Sequence, residues 1–348
     1  MSIETNTVVK TNELQTEPEW QALLESDDAL LRIHNLHVEY RTEKAVVYAL
    51  NGMDLVIQKG QSIGLVGETG AGKTTAALSV LNIMPRSIGF ITDGSIEFDK
   101  KDVQKMPQSE LKELRGGKIS MIFQNPLTAL NPVFTVGEQI AMVLRVHQHL
   151  KRKEALVRAS ELLEMVGIAS YRVKDYPFQF SGGMRQRVGI AAALACNPML
   201  LIADEPTTAL DVTIQAQILE LMRNLQSQYT TSLLMITHNL GIIAELCQFV
   251  AVMYAGRVIE YGSVESVFSS PKHPYTSGLL GALPNLEGPR ERLMSIPGMI
   301  ADPRHLPSGC AFHPRCNDCQ EDCKTKQPMM TLAGVGHFVA CFARGSNS

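Results

Sequence analysis

Residues Gly67 to Thr75 read Gly-Glu-Thr-Gly-Ala-Gly-Lys-Thr-Thr, which sets Gly67, Gly72, Lys73 and Thr74 at the spacing Gly-x-x-x-x-Gly-Lys-Thr. The chemistry open to such a run is the cradling of a phosphate chain. Glycines at 67, 70 and 72 let the backbone bend. Successive amides of Gly67, Glu68, Thr69, Gly70, Ala71, Gly72, Lys73, Thr74 and Thr75 can then face one concave anion site. Lys73 is placed to reach the terminal phosphates, and the Thr74 hydroxyl to ligate Mg²⁺. A glycine-rich turn that binds nothing is the competing reading, and the flanking elements weigh against it.

Those elements are a short apolar run before the loop, Ser62 to Val66, and a helix-forming run after it, Thr75 to Met84. A strand feeding a helix adds the positive end of the helix dipole to the anion site. Upstream, alternation at Leu31, Ile33, Leu36 and Val38 predicts a half-buried antiparallel strand ending near Tyr40, and Val46 to Ile57 a second. Downstream, Gly94–Phe98 and Ile119–Phe123 are strand-like. Lys151 to Val166 forms a helix with Ala155, Ala159, Leu162, Leu163 and Val166 on one face, stopped by Gly167. Ser181-Gly182-Gly183 opens a long helix of small residues from Met184 to Ala195. The apolar strand Met199–Ala203 then ends in Asp204-Glu205-Pro206. Helix-like Val212–Leu225, strand-like Ser232–Thr237 and strand-like Val250–Tyr254 continue an alternation to about residue 260. This is an α/β chain with a largely parallel sheet and phosphate bound at the strands' carboxyl ends.

Composition sets the class. The 348 residues are 45% hydrophobic, enough for a sizeable core, and the net charge of −3 gives no general pull toward nucleic acid. No apolar run approaches the ~18–20 residues of a membrane span. Met1 to Ala29 holds seven acidic residues and a single base, Lys10. It reads as a flexible lead-in without a signal segment, and the chain as cytoplasmic.

The ordered set Gly67–Thr75, Gln124, Phe180-Ser181-Gly182-Gly183-Met184-Arg185-Gln186, Leu200–Glu205, Ala209-Leu210-Asp211 and His238 resembles the ATP-binding subunit of ABC transporters. The segments Gln124–Pro132 and Tyr176–Gly183, and the tail Pro271-Lys272-His273-Pro274-Tyr275-Thr276, resemble more narrowly the subunits that serve oligopeptide and dipeptide importers. The resemblance implies a P-loop NTPase fold of the ABC type. It would comprise a RecA-like lobe with an antiparallel β subdomain, a helical insertion over about 125–188, and a small cysteine-rich C-terminal extension. The expected division is a flexible acidic segment (1–29), an ATPase domain (30–270) and the extension (271–348). Phe178 and Asn239 stand where such proteins often carry His and Asp. These departures leave the hydrogen bonding near both loops open.

The resemblance also assigns roles. Thr74, Gln124 and Asp204 would arrange the Mg²⁺ shell of bound ATP. Glu205 would be the general base, His238 would sense the γ-phosphate, and Tyr40, with Tyr48 as its rival, would stack on adenine. Ser181, Gly182, Gly183 and Gln186 would complete the site of a second ATPase subunit packed head to tail, with Asp211 at the seam. Taken alone, Ser181 is a plain helix N-cap. The partners implied are a related but non-identical ATPase subunit, two transmembrane permease subunits and an extracytoplasmic solute-binding protein. The chain itself would lie peripherally at the cytoplasmic face of the membrane.

Five of the seven cysteines lie beyond residue 300. Cys196 and Cys247 sit in apolar helical surroundings and read as core. A cysteine cluster in a cytoplasmic chain points to metal rather than disulfides. By resemblance Cys310, Cys316, Cys323 and Cys341 would hold a [4Fe–4S] cluster that staples a Pro- and Gly-rich tail. Cys319 is extra, and Cys316-x2-Cys319 leaves zinc open. The leading reading is thus an ATPase driving a peptide importer. The alternatives are import of nickel or another small solute, a soluble ABC-type ATPase without a channel, and a nucleotide-regulated iron–sulfur sensor.

Overall fold

The computed structural model describes residues 18–125, 129–208, 210–228, 230–282 and 296–344. A short helix α1 (Pro18–Leu24) precedes strands β1 (Ala29–Arg41), β2 (Val46–Gln58) and β3 (Ser62–Val66). Helix α2 (Lys73–Val80) leads to β4 (Gly89–Phe98) and β5 (Lys101–Asp102). Helix α3 (Gln108–Glu113) and β6 (Ile119–Ile122) follow, then helices α4 (Val136–His147), α5 (Arg152–Met165) and α6 (Gly182–Leu194). Strand β7 (Leu200–Asp204), helix α7 (Val212–Gln228), β8 (Ser232–Ile236) and helix α8 (Leu240–Leu246) continue the alternation. The last elements are β9 (Phe249–Tyr254), β10 (Arg257–Ser263), α9 (Val264–Ser269), α10 (Pro274–Gly281), α11 (Glu321–Thr325), β11 (Thr331–Gly334) and β12 (His337–Val339).

Two sheets organise the chain. A four-stranded antiparallel sheet has the order β2-β1-β4-β5, and an eight-stranded sheet has the order β11-β12-β10-β9-β3-β8-β7-β6. In the large sheet β3 pairs in parallel with β8 and β9, and β7 with β6 and β8. Every residue of β3, β7 and β8 is buried, as expected of parallel strands covered on both faces. Gly64 of β3 lets α8 approach closely, because a Cβ there would lie 2.5 Å from Ile243 Cδ1. The antiparallel sheet shows the alternation read from the sequence, with Leu31 opposite Ile57 and Ile33 opposite Leu55.

Helices α4 and α5 pack through the predicted stripe. Ala155, Ala159, Leu162 and Leu163 are buried against Val136, Ile140 and Leu144 in one core cluster. Thr135 caps α4 by accepting from the Glu138 amide, and Gly167 at φ +75 ends the α5 turn. Helix α6 runs beyond the expected insertion boundary near residue 188, to Leu194.

Three expectations need correction. The N-terminal segment is not free of structure throughout: Trp20 is fully buried, 5.5 Å from Tyr261 and 5.1 Å from Phe338 between ring centroids. Burying an indole outweighs the acidic composition around it. Residues 1–17 lie outside the described residues. The cysteine-bearing tail does not stand apart either. Strand β12 pairs with β10 through Glu260 opposite Val339 and Tyr261 opposite Phe338, so the tail extends the main sheet. Cys247 is buried, but Cys196 is only partly so, at the end of α6.

Candidate nucleotide-binding site

Loop 67–72 leaves the end of β3 and turns into α2. Gly67 is required by close approach, since a Cβ there would lie 2.4 Å from Met253 O, Gly70 by backbone conformation, and Gly72 by both. Gly70 and Gly72 have φ of +86° and +101°, and a Cβ on Gly72 would lie 2.5 Å from the Ala49 carbonyl oxygen. Lys73 is buried, and its Nζ donates to the carbonyls of Gly67 (2.6 Å) and Glu68 (3.1 Å). Burial lowers its pKa, opposed by the charges of Glu205, Asp204 and Glu68. The result is a cation folded onto its own loop, next to carboxylates, where an anion would meet it.

Strand β7 delivers the carboxylates. Asp204 is buried at its end and accepts a 2.9 Å hydrogen bond from Thr74 Oγ1. Burial raises its pKa, the Glu205 charge adds to the rise, and the Thr74 bond and Lys73 oppose it. Glu205 keeps the ladder with β8, its amide donating to Ile236 O at 2.8 Å, yet it adopts a left-handed φ of +46°. A non-glycine residue there costs ~1–3 kcal/mol and is held only by its surroundings. Its carboxylate faces Gln124 Nε2 at 3.0 Å, Thr208 Oγ1 at 2.8 Å and His238 Nδ1 at 3.0 Å. Burial favours the neutral acid, but the bonds from His238 and Thr208 and the charges of His238 and Lys73 outweigh it. Its pKa is held below the usual glutamate value, so the group is an ionised base at neutral pH.

Gln124, Glu205 and His238 line one cavity of about 470 Å³, together with Tyr40, Val47, Ala49, residues 69–75 and Pro303, while Asp204 and Thr208 bond to lining residues. That size suits a small-molecule site. Tyr40 is the tyrosine that lines it, its hydroxyl donating to Thr75 Oγ1 at 3.4 Å, whereas Tyr48 does not. Glu68 departs from its assignment: its amide donates to Tyr275 Oη at 2.8 Å, its carboxylate turns away to Arg315, and its carbonyl faces Lys73. Thr208 and Pro303 were missed by sequence reasoning. Thr208 had a local signal, three residues after Glu205. Pro303 had none, because it arrives from the tail.

Ser181 caps α6, its Oγ accepting from the Met184 amide at 3.4 Å, and Gly182 beside it is exposed. Gly183 is buried, and a Cβ there would lie 2.6 Å from Ile214 Cγ2. None of the three lines the cavity at Lys73. Gln186 is buried along the groove between the lobes. Asp211 is exposed at the start of α7, accepting from the Ile214 amide at 2.9 Å. Ala209 and residues 126–128 of the expected coupling loop lie outside the described residues. The two departures are accommodated locally: Phe178 stacks on Tyr176 at 5.8 Å, and Asn239 caps α8 by accepting from the Gly241 amide.

Cys310, Cys316, Cys323 and Cys341 are neighbours in the tail. A charge on Cys323 acts on the other three thiols, and the Cys310 amide donates to Cys323 O at 2.9 Å. Burial pushes the Cys310 and Cys316 thiols up to about 11. Cys319 is coupled to Cys323. Among the described residues no group of three or more His, Cys, Asp or Glu side chains is arranged to hold a metal ion.

Comparisons with known proteins agree with this geometry. A family model described as ABC transporter matches residues 50–208, and one described as the C-terminal region of oligopeptide/dipeptide transporters matches residues 259–323. The oligopeptide transport ATP-binding protein AppD of Bacillus subtilis is 48% identical over 315 residues, covering 90% of this chain and 96% of that one. OppD of Haemophilus influenzae, of the same description, is 44% identical over 90% of this chain and 97% of its own. Among solved structures, the dimeric ATP-binding cassette MJ0796 bound to ADP and Pi superposes with a TM-score of 0.61 at 27% identity. It covers 67% of this chain and 98% of its own.

Proposed function

Since this chain belongs to the ATP-binding subunits of oligopeptide-type ABC transporters, we propose that its cavity binds MgATP and hydrolyses it with Glu205 as base, powering peptide import. The observation that carries this reading is the Glu205 carboxylate, held by three donors at the mouth of the cavity that the phosphate loop lines. Amides 69–75 and Lys73 hold the phosphates. Thr74 and Asp204 already share a hydrogen bond through their oxygens, the donor type a hard Mg²⁺ prefers. With Gln124 they would hold the ion, which supplies charge neutralisation at the phosphates. Glu205 orients and deprotonates the attacking water, and His238, on its other oxygen, responds to the γ-phosphate. Tyr40 stacks on the base. The full-length chain should bind a fluorescent ATP analogue, and Lys73→Ala should abolish that binding. Unchanged binding in the variant would refute the site.

The second surface is the start of α6. Ser181 and Gly182 present a helix N-terminus away from their own cavity, which suits the nucleotide of a second subunit, with Gly183, Gln186 and Asp211 supporting the seam. The dimeric state of the MJ0796 cassette supports that arrangement. We assign this chain a related, non-identical ATPase partner, two permease subunits and an extracytoplasmic binding protein, with Val133 and Phe134 exposed beside the 124–132 loop for docking. No helix among the described residues is long and apolar enough to cross a membrane, so attachment at the cytoplasmic face would run through partners. We keep the division at residues 30–270 and 271–348, which the matches over 50–208 and 259–323 support in outline, though the second region begins before residue 271.

The four tail cysteines we assign to a [4Fe–4S] cluster. What supports this is the resemblance of the Cys310-x5-Cys316-x6-Cys323-x17-Cys341 spacing and the nearness of the thiols, a charge on Cys323 reaching the other three. The cluster would supply a covalent tie across the tail, a structural role.

A further inference from the structure

The phosphate loop is tied to the tail by an ion pair between a buried arginine and a half-buried carboxylate. Arg315, one residue before Cys316, donates to the Glu68 carboxylate from Nη1 at 2.7 Å and from Nη2 at 3.2 Å. The Arg315 side chain is 4% exposed, its Nε donates to Pro297 O at 3.0 Å, and it lies beside the Tyr254 and Phe312 rings. At the other end of the same residue, the Glu68 amide donates to Tyr275 Oη at 2.8 Å. Tyr275 is fully buried on α10, edge-on to Tyr254 and Phe312. Helix α10 is itself anchored. The buried Glu260 carboxylate accepts from the amides of Lys272 (2.6 Å) and His273 (2.8 Å) and from His337 Nε2 (2.7 Å), and His273 Nδ1 accepts from the Tyr275 amide. A third tail contact reaches the same cavity, where the Tyr48 amide donates to Pro303 O at 2.8 Å and Pro303 joins the lining.

We propose that the C-terminal extension is a brace for the phosphate loop, with Arg315 and Tyr275 as positioning residues that hold Glu68 at both ends and so preorganise the cradle for ATP. The physical reason is entropic. Fixing a glycine-rich loop costs backbone entropy, and a ligand that must order the loop binds more weakly by that cost. Charge-assisted bidentate bonds from a buried arginine supply the order beforehand. Because Lys73 bonds to the Glu68 carbonyl, the brace also sets where the lysine sits. The tail's junction with the main sheet through β12 makes the brace rigid.

This inference rests on reading the loop as the ATP site, and the test separates the two. Full-length wild type, Glu68→Gln, Tyr275→Phe and Lys73→Ala are titrated with a fluorescent ATP analogue, and KM and kcat are measured in the complex with the permease. Glu68→Gln should raise Kd and KM on the order of tenfold, and Tyr275→Phe about threefold, each by more than kcat falls. Hydrogen exchange should quicken at amides 67–73 of the nucleotide-free variants. Tyr275→Phe keeps the buried ring, which guards against loss of the fold. Unchanged Kd in both variants, or a fall in kcat alone, overturns the brace. If Lys73→Ala also binds normally, the ATP-site reading itself falls; if only Lys73→Ala loses binding, the brace alone is wrong.

Discussion

Thr208 donates a 2.8 Å hydrogen bond to the carboxylate oxygen of Glu205 that also takes the Gln124 amide, while His238 holds the other oxygen. Thr208 therefore fixes the orientation of the Glu205 carboxylate, the proposed base. Thr208→Val keeps the side-chain volume and removes the donor, so kcat should fall on the order of tenfold, ~1.4 kcal/mol, with little change in KM for ATP. A kcat equal to wild type in steady-state assays of the complex would show that the bond does not orient Glu205.

Glu205→Gln preserves shape but not basicity. ATP should still bind, and turnover should drop by ~10²-fold or more. The measurement is single-turnover hydrolysis in the assembled complex beside equilibrium ATP binding. Near-normal hydrolysis would remove Glu205 from the base role.

Ser181→Arg places a bulky cation at the exposed start of α6. In the dimer it should empty the partner's nucleotide site and leave the site of its own chain occupied. Lys73→Ala should do the reverse. Separate occupancy of the two sites, read by crosslinking of a photoreactive ATP, decides between shared and self-contained sites.

The tail should carry iron. Protein purified without oxygen is expected to be brown with about four irons per chain. Cys310, Cys316, Cys323 and Cys341 should each be required and Cys319 dispensable, by metal analysis and absorption spectra of Cys→Ser variants. A colourless, zinc-loaded protein would overturn the cluster.

His273 sets a pH dependence of stability. Burial pushes its pKa down to about 4, opposed by Glu260, while Arg344 lowers it further. The unfolded chain, with His near its ordinary value of about 6.5, binds a proton in this window that the folded chain refuses. Stability should therefore fall as pH drops from about 6.5 to 4, by at most about 3 kcal/mol, and His273 adds nothing further below that. His273→Asn keeps a helix cap without the titration and should flatten the profile. Equal slopes for the two proteins in denaturant titrations between pH 7 and 5 would remove His273 from the effect.

The order of elements and the glycine loop after β3 were legible in the sequence because their signals are local. Period-two burial marks β1, period 3.6 marks α5, and a loop whose glycines need positive φ announces itself by composition. Ser181, Asn239 and Gly167 likewise act within their own turn. What only tertiary structure decided are the pairings across the fold. Tyr40 rather than Tyr48 lines the cavity, Trp20 from an acidic segment fills a pocket against β10 and β12, and Arg315 reaches Glu68 across 247 positions of sequence. No periodicity encodes such contacts. They arise because β12 docks beside β10 at the sheet edge, which carries the tail back to the loop after β3. A buried arginine then finds its carboxylate there, because leaving the guanidinium unpaired in that interior would be costly.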